Sequence, residues 1–584
     1  MVGYLPVLIF FSIGGWFFNE PVAITQTNVL IITVLTAVLF SKNHNWFKNK
    51  IIILLVFQVL LFLVFGFINK IYFIDILQGT YGRFNGIILL FVLINLLGIS
   101  ITSEKKDNQI IDNIFKTLIP AVLVVGLLQI LKIPIVKWSR SSDEIELTLG
   151  NPNFSGALIS IIFAIAIYKI ISEKEPKLKI LYYFLIPILL FLSVKTKTLQ
   201  SILLIFIATL LFIFFRNLPN LNNANKNIFY SIFVLMIFSV STMVYILSTE
   251  NFFGTSLKNR FFKLGSVAPR LEYWAMGWRI FKDHLITGVG IDNIVSYAPY
   301  YRSVKLILID GSAQIADKTH SILIDYFASG GILIGLIWVF FVISVFILGI
   351  KNLRYESGTE QLWVAITWLV IWTVYFLQSL ISPDALILQV LGLIAAGRII
   401  KSSQRYTKKF EFIHIRVNPR MTKSLMFCIL CFSIFIGSKQ LIADHQLLVI
   451  KEAKILSLEQ VRTAISTWPN QKGLEIIAYK VGQDYKQCSL TKEISRKLID
   501  THPRNGQGWY FLGLCEHFEG NVEDSVKSIK QALKFDPKQP AYIYALAQIY
   551  YREGNKVEAE KYLKILEDLF PNIPEVQQLR SLIV

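Results

Sequence analysis

Charged residues are scarce in this 584-residue chain: Asp, Glu, Lys and Arg together make up 17%, against about 25% in soluble globular domains. That shortage excludes an ordinary water-soluble globule, since the hydrophobic share is 54% and needs lipid to hide in. Cysteine is rarer still, with four residues. Cys428 and Cys431 have a CxxC spacing but sit in an apolar stretch with no hydrophilic ligands nearby, so a metal or redox centre is not expected there. Cys488 and Cys515 lie in a polar C-terminal region and could form a disulfide if that region is outside the cytoplasm. Acidic residues are outnumbered, giving a formal charge of +19. Nucleic acid is not the expected partner, because the cations concentrate in short segments between apolar runs, where anionic lipid headgroups are their counterparts.

What is present in quantity is Leu, Ile, Phe and Val, in runs near the ~20 residues that cross a hydrocarbon core. Hydropathy places about 12–13 spans, at 4–19, 28–41, 50–68, 84–102, 115–132, 154–172, 178–194, 199–216, 229–248, 321–350, 362–381, 384–400 and 424–443. The stretch Tyr4–Phe18 has neither a basic n-region nor a cleavage site and reads as the first span. Lys42, Lys48, Lys50, Lys105, Lys106, Lys174, Lys177, Lys179, Arg216, Lys226, Lys351 and Arg354 all fall on one side if the N-terminus is cytoplasmic, as does the basic stretch Lys401–Lys423. Lys70, Lys132, Lys137 and Arg140 fall on the other. This orientation puts the long segment 249–318, and everything after residue 443, on the external face.

The expected fold is all-α: a polytopic helical membrane domain over 1–443 and a soluble α-solenoid over 444–584. The solenoid follows from a repeat. Leu512, Gly520 and Pro537 recur 34 residues later as Leu546, Gly554 and Pro571, a tetratricopeptide pattern, and a weaker copy ends at Pro503. Such units are helix–turn–helix pairs that stack into a concave surface able to take a protein partner.

Polar residues at the external ends of spans are the candidates for chemistry. In 249–318, an interfacial helix is expected over 270–285, with Leu271, Trp274, Ala275, Trp278, Phe281 and Leu285 on one face. Arg270 at its start is either a solvated interface arginine or a cation aimed at a cavity. His320 begins a span, and its imidazole can exchange a proton near neutral pH; the competing reading is a structural helix-start histidine. The motif Gly150-Asn151-Pro152-Asn153-Phe154-Ser155-Gly156 is either ordinary helix capping or a helix N-terminus offered to phosphate. Arg83, in Gly82–Gly86, either snorkels to headgroups or faces a cavity.

The ordered set GRFNG at 82–86, GNPNFSG at 150–156, PRLEYWAMGWRIFKDHLITGVG at 269–290 and KTHSILIDYFASGG at 318–331 resembles the bacterial O-antigen ligase and O-antigen polymerase superfamily, some members of which carry a tetratricopeptide tail. The resemblance implies a multi-pass glycosyltransferase of the bacterial cytoplasmic membrane. It implies an undecaprenyl-pyrophosphate-linked glycan as donor and a lipid, protein or growing glycan as acceptor, with no metal and no cofactor. His320 matches the family's base and Arg270 its loop arginine. The family's Asn after the histidine is Ser321 here. Its Ser-Arg-Gly near the seventh or eighth span is replaced by Lys195–Ser201, so the second cation falls to Lys195, Lys197, Arg83 or Arg302, with Asn153 a further contact. A polymerase of the same superfamily, or a flippase for lipid-linked sugar, is the alternative; few ionisable residues in span centres speak against the flippase.

Overall fold

The computed structural model describes residues 1–14, 17–41, 45–136, 144–217, 267–355, 359–405, 419–453, 457–467, 471–482 and 487–583. The described residues are all-α, without a strand. Among the described residues ten helices are long and apolar enough to cross a membrane: Ala23–Phe40, Lys50–Ile68, Asp107–Ile130, Pro152–Ser172, Pro176–Lys195, Leu199–Arg216, Ile322–Tyr355, Thr359–Ser379, Leu386–Ser403 and Arg420–Glu452. An eleventh apolar helix, Ile87–Thr102, is shorter. The expected span at 229–248 lies outside the described residues.

Local sequence sets the helix starts. Asn49 accepts from the Ile51 N–H at 2.9 Å. Asn151 accepts from the Asn153 N–H at 2.8 Å with Pro152 in the first turn, where its missing N–H has no partner to lose. Pro152–Ser172 is the most enclosed span and packs on Leu199–Asn217, Thr359–Ser379 and Pro176–Lys195. Pro176–Lys195 is the most exposed, presenting Tyr183, Phe184, Phe191 and Val194 outwards, a surface suited to lipid tails.

The first span departs from expectation. Its helix is only Leu5–Phe11, about 10 Å long at 1.5 Å per residue. Ser12 begins the break, its carbonyl accepting from Thr25 Oγ1 at 2.8 Å, and Gly14 N–H donates to Pro21 O at 2.6 Å. The backbone freed by the break is thus paired with the first turn of the next helix and with the residues leading into it. The segment nonetheless joins the two ends of the bundle. Tyr4 donates to Asn113 near the start of Asp107–Ile130, while Glu20 N–H donates to Asp444 at 3.0 Å.

The Ile322–Tyr355 helix also breaks, at Gly331, where φ is 68° and ψ −171°. The loop after the Val267–Asp283 helix comes against this break: Val289 N–H donates to Ala328 O at 2.9 Å, Gly290 N–H to Ser329 O at 2.8 Å, and Ile332 N–H to Leu285 O at 2.8 Å. Two glycines allow it. A Cβ on Gly288 would stand 2.3 Å from the Ser329 carbonyl carbon, and one on Gly331 2.2 Å from Ile286 O.

The Pro419–Glu452 helix runs unbroken through residue 443, so the membrane part and the tail share one helix. Beyond it, three helix hairpins pair Gln471–Gly482 with Cys488–Thr501, Gly506–Phe518 with Val522–Phe535, and Pro540–Arg552 with Lys556–Leu569, ending in Pro574–Ile583. Gly520 and Gly554, 34 residues apart, hold positive φ at equivalent turns. Cys488 and Cys515 are both buried and unbonded.

The tail packs onto the loop that precedes the broken helix. Arg302 is 2% exposed and pairs with Asp536 at 2.6 Å, and it also donates to Ser312 O at 2.9 Å and Gln314 O at 3.3 Å. His502 Nε2 meets Asp75 at 2.6 Å, and Ile307 is buried in the tail's core.

Candidate active site

At the tail-bearing end of the bundle, the segments around residues 19–23, 82–85, 149–154, 317 and 384–386 enclose a cleft of about 1220 Å³. Arg83 and Asp317 are in its wall, joined as a fork: Nε to Oδ2 at 2.7 Å and Nη2 to Oδ1 at 3.2 Å. Burial would raise the Asp317 carboxyl, but the Arg83 guanidinium outweighs it and the pKa lies below the usual carboxylate value.

Three residues further on, His320 is held from several directions. Its φ is 60°, a left-handed conformation that costs a non-glycine residue of order 1 kcal/mol and persists only where neighbours enforce it. Thr319, fully buried, donates to Asp325 through both its N–H and its hydroxyl at 2.8 Å. Gly277 leaves room for the Thr319 methyl, which a Cβ there would meet at 2.5 Å. Trp274 Nε1 donates to the His320 carbonyl at 3.4 Å. The Tyr273 ring lies flat on the imidazole, centroids 4.5 Å apart and 13° between planes.

Desolvation, with the positive charges of Arg83 and Arg270 nearby and Asp317 opposing, pushes the His320 pKa down to about 3. The ring is therefore neutral through the physiological range, the form that accepts a proton. Arg270 has no carboxylate or carbonyl partner among the described residues, and desolvation alone lowers its pKa to about 10. An unpaired guanidinium beside a neutral imidazole is suited to receive an anion.

The same structure supplies residues that sequence reasoning missed. Asp292, with φ at 51°, accepts from Thr80 N–H at 2.7 Å and Thr80 Oγ1 at 2.9 Å and pairs with Lys318 at 2.5 Å. It thereby pins the loop after Gly290 to the turn carrying Arg83. Asp384 lies between two spans, accepts from Tyr375 at 3.2 Å and Gln389 at 3.1 Å, and is pushed up to about 7 by burial. Besides the cleft wall, it lines an apolar cavity of about 720 Å³ running past Trp338, Phe341 and Trp372. Neither acid follows a spacing rule: Asp292 is one acidic residue of a long loop and Asp384 one between two spans.

The remaining candidates are placed as follows. Gly150, Asn151 and Phe154 face the cleft, while Asn153 hydrogen-bonds back to Asn151 at 3.2 Å. Lys195 and Lys197 are exposed, and Lys195 lies over the Phe191 ring at 5.4 Å; neither is in the cleft wall. Arg302 is occupied by Asp536 of the tail. The helix expected over 270–285 spans Val267–Asp283, somewhat offset. Its Leu271 and Trp278 are exposed, as is Leu285 just beyond its end, whereas Met276 and Ile280 pack inwards.

Comparison with known proteins agrees in two places. Residues 181–339 match the O-antigen ligase family model, a stretch that contains Arg270, Tyr273 and His320. Residues 517–583 match a tetratricopeptide repeat. Over 96 residues the chain is also 27% identical to the general transcriptional corepressor ssn6 of Schizosaccharomyces pombe, a stretch covering 16% of this chain and 9% of that protein.

Proposed function

Starting from a multi-pass membrane protein with an O-antigen ligase domain and a tetratricopeptide tail, we propose that it transfers a glycan from a polyprenyl-pyrophosphate donor to an acceptor hydroxyl or amide at the tail-bearing end of the bundle, and that this end lies outside the cytoplasm. The observation that carries the reading is the trio of His320, neutral and held by Tyr273, Arg270 without a carboxylate or carbonyl partner among the described residues, and Arg83 at the cleft wall.

In this reading the donor's isoprenoid tail lies among the spans and its pyrophosphate enters the cleft. The acceptor hydroxyl gives its proton to His320 as its oxygen bonds to the anomeric carbon. The bond from that carbon to the pyrophosphate oxygen breaks, and the electron pair leaves on the lipid pyrophosphate. Charge gathering on the leaving group is met by Arg270 as a two-pronged donor, with Arg83 behind it. Guanidinium groups supply the positive charge, so the proposal requires no metal. A ligase and a polymerase would share this chemistry and differ in the acceptor.

Purified protein in lipid nanodiscs, given undecaprenyl-pyrophosphate-linked glycan and acceptor, is expected to release undecaprenyl pyrophosphate. His320→Ala should slow this about 10²–10⁴-fold, the range for a lost general base. Undiminished turnover in that variant would remove His320 from the chemistry. Movement of the glycan lipid across the bilayer without bond formation would make the protein a transporter instead.

A further inference from the structure

A second cavity, of about 1390 Å³, lies between the concave face of the tail and the loop around residues 295–315. Its charges are unevenly settled. Glu475 is met by Lys472 at 3.3 Å and by Asn505 at 2.6 Å, and Asp536 by Arg302. Arg504, by contrast, has no acidic partner among the described residues. Its guanidinium stacks 3.9 Å from the Tyr297 ring centroid and its buried Nε lacks an acceptor. Gln539 spends its amide N–H on Ser312 O at 3.1 Å and leaves Oε1 buried and unmatched. The Gln507 side chain, in the same wall, has no hydrogen-bond partner among the described residues. Between these polar groups lie Tyr510 and Tyr542, centroids 4.8 Å apart.

We infer that this groove binds an oligosaccharide bearing acidic sugars, with Arg504 receiving a sugar carboxylate, Gln507 and Gln539 pairing with hydroxyls, and tyrosine rings lying against the apolar faces of the pyranoses. Rings with one apolar face and a polar edge suit sugar, which is itself apolar on its face and polar at its rim. Among the described residues of the wall the charge left unmatched is the one guanidinium of Arg504, which suits one anionic group. A peptide held in a solenoid groove would instead call for a ladder of side-chain amides to match its backbone, whereas among the described residues Gln539 already spends its N–H on Ser312 and Asn505 its own on Glu475. The groove wall at Ser312 and Ala313 follows directly on a short helix that reaches the proposed catalytic loop. The Val304–Asp310 helix is tied to the His320 side by Tyr273, which donates to Asp310, and by Ser303, which donates to Glu272 at 2.8 Å. A glycan growing from the cleft, or waiting to enter it, thus has a resting place on the tail.

The inference rests on the glycan-transfer reading for its biological sense, but its test is binding and not turnover. Full-length protein in nanodiscs would be titrated calorimetrically with tetragalacturonate, maltotetraose and a hexaglutamate peptide. Tetragalacturonate should bind, and Arg504→Gln should weaken it about tenfold or more, as loss of a charge-assisted hydrogen bond does. Gln507→Ala, at a solvent-lined position, should weaken it less while leaving the tail's melting temperature unchanged. His320→Ala should bind like the unaltered protein, so failure of the catalytic assignment would leave this result standing. Equal affinity for maltotetraose would overturn the acidic-sugar assignment. Binding of the peptide alone, or of none of the three, would overturn the glycan site.

Discussion

Tyr273 lies parallel to His320 while its hydroxyl is turned away to Asp310, so its ring and its oxygen have separable tasks. Tyr273→Phe keeps the stack and should leave kcat within about threefold of normal, whereas Tyr273→Ala frees the imidazole and should lower kcat about tenfold or more with a smaller change in KM, since misplacing a catalytic group by an ångström is costly. The pH profile carries a second expectation. With the His320 pKa depressed to about 3, the proposed base stays unprotonated well below pH 6.5, so kcat/KM should stay level from pH 8 to about 5 instead of halving near 6.5. The sign for stability follows from the same depression: the unfolded chain takes up the proton first, so the contribution of neutral His320 is complete above about pH 6.5 and is lost as pH falls towards 3. A kcat/KM profile centred on pH 6.5 would show the ring to be solvated. His320 and Arg270 could be singled out from sequence because histidines are few and arginine at a helix start is conspicuous. Tyr273 and Asp292 could not, because each acts through a neighbour far away in the chain; Asp384 could not, because Tyr375 and Gln389 close on it only where two spans meet.

The broken Ile322–Tyr355 helix shows where hydropathy stops being informative. The run from Ile322 onward is apolar apart from Asp325, Tyr326 and Ser329 in its first turns, and mean hydropathy carries it across Gly331 as one span. What breaks the helix is a second backbone, residues 285–290, pressed against it, and that contact becomes legible only when Gly288 and Gly331 are seen facing each other. Gly331→Ala meets both a positive φ of 68° and the Ile286 carbonyl at 2.2 Å. The expected cost is about 1–3 kcal/mol or more, read as a lower melting temperature in detergent. Because this break positions the segment that begins just after His320, the variant should also lose activity. Gly82→Ala, with a positive φ of 87° but open space around its Cβ position, should cost less, near the conformational penalty alone. The first span fails in the opposite way: its hydrophobicity was read correctly, but Ser12, Gly14 and the nearby Pro21 end the helix after seven residues, and the Thr25 hydroxyl takes over part of the pairing.

For the molecule as a whole, Arg302 is the instructive residue. Read from sequence it was a spare cation on an external loop, available to pyrophosphate. Instead it is 2% exposed and committed to Asp536, some 234 positions away in the chain, and no local pattern could have announced that pairing. Its consequence is that the tail is tied to the loop that precedes His320. Asp536→Asn leaves a buried guanidinium without its counter-charge, at a cost of about 3–5 kcal/mol, and should expose the 302–314 loop to protease before the spans unfold. If the loop stays protected, the packing of Ile307 and the His502–Asp75 contact suffice to hold the tail. The same junction makes the orientation of the chain testable. Asn19, Tyr81, Asp444 and the tail all meet at one end of the bundle, and Lys105, Lys106 and Lys401 lie at the other, where Arg398 and Lys401 bind the carbonyls of residues 100–105. If cations stay cytoplasmic, the tail, the cleft and His320 face outwards together. A phosphatase fused after Val584 should then be active in cells and a cytoplasm-dependent fluorescent reporter dark. The reverse result would place the cleft on the cytoplasmic side, and the proposed transfer would have to take place there.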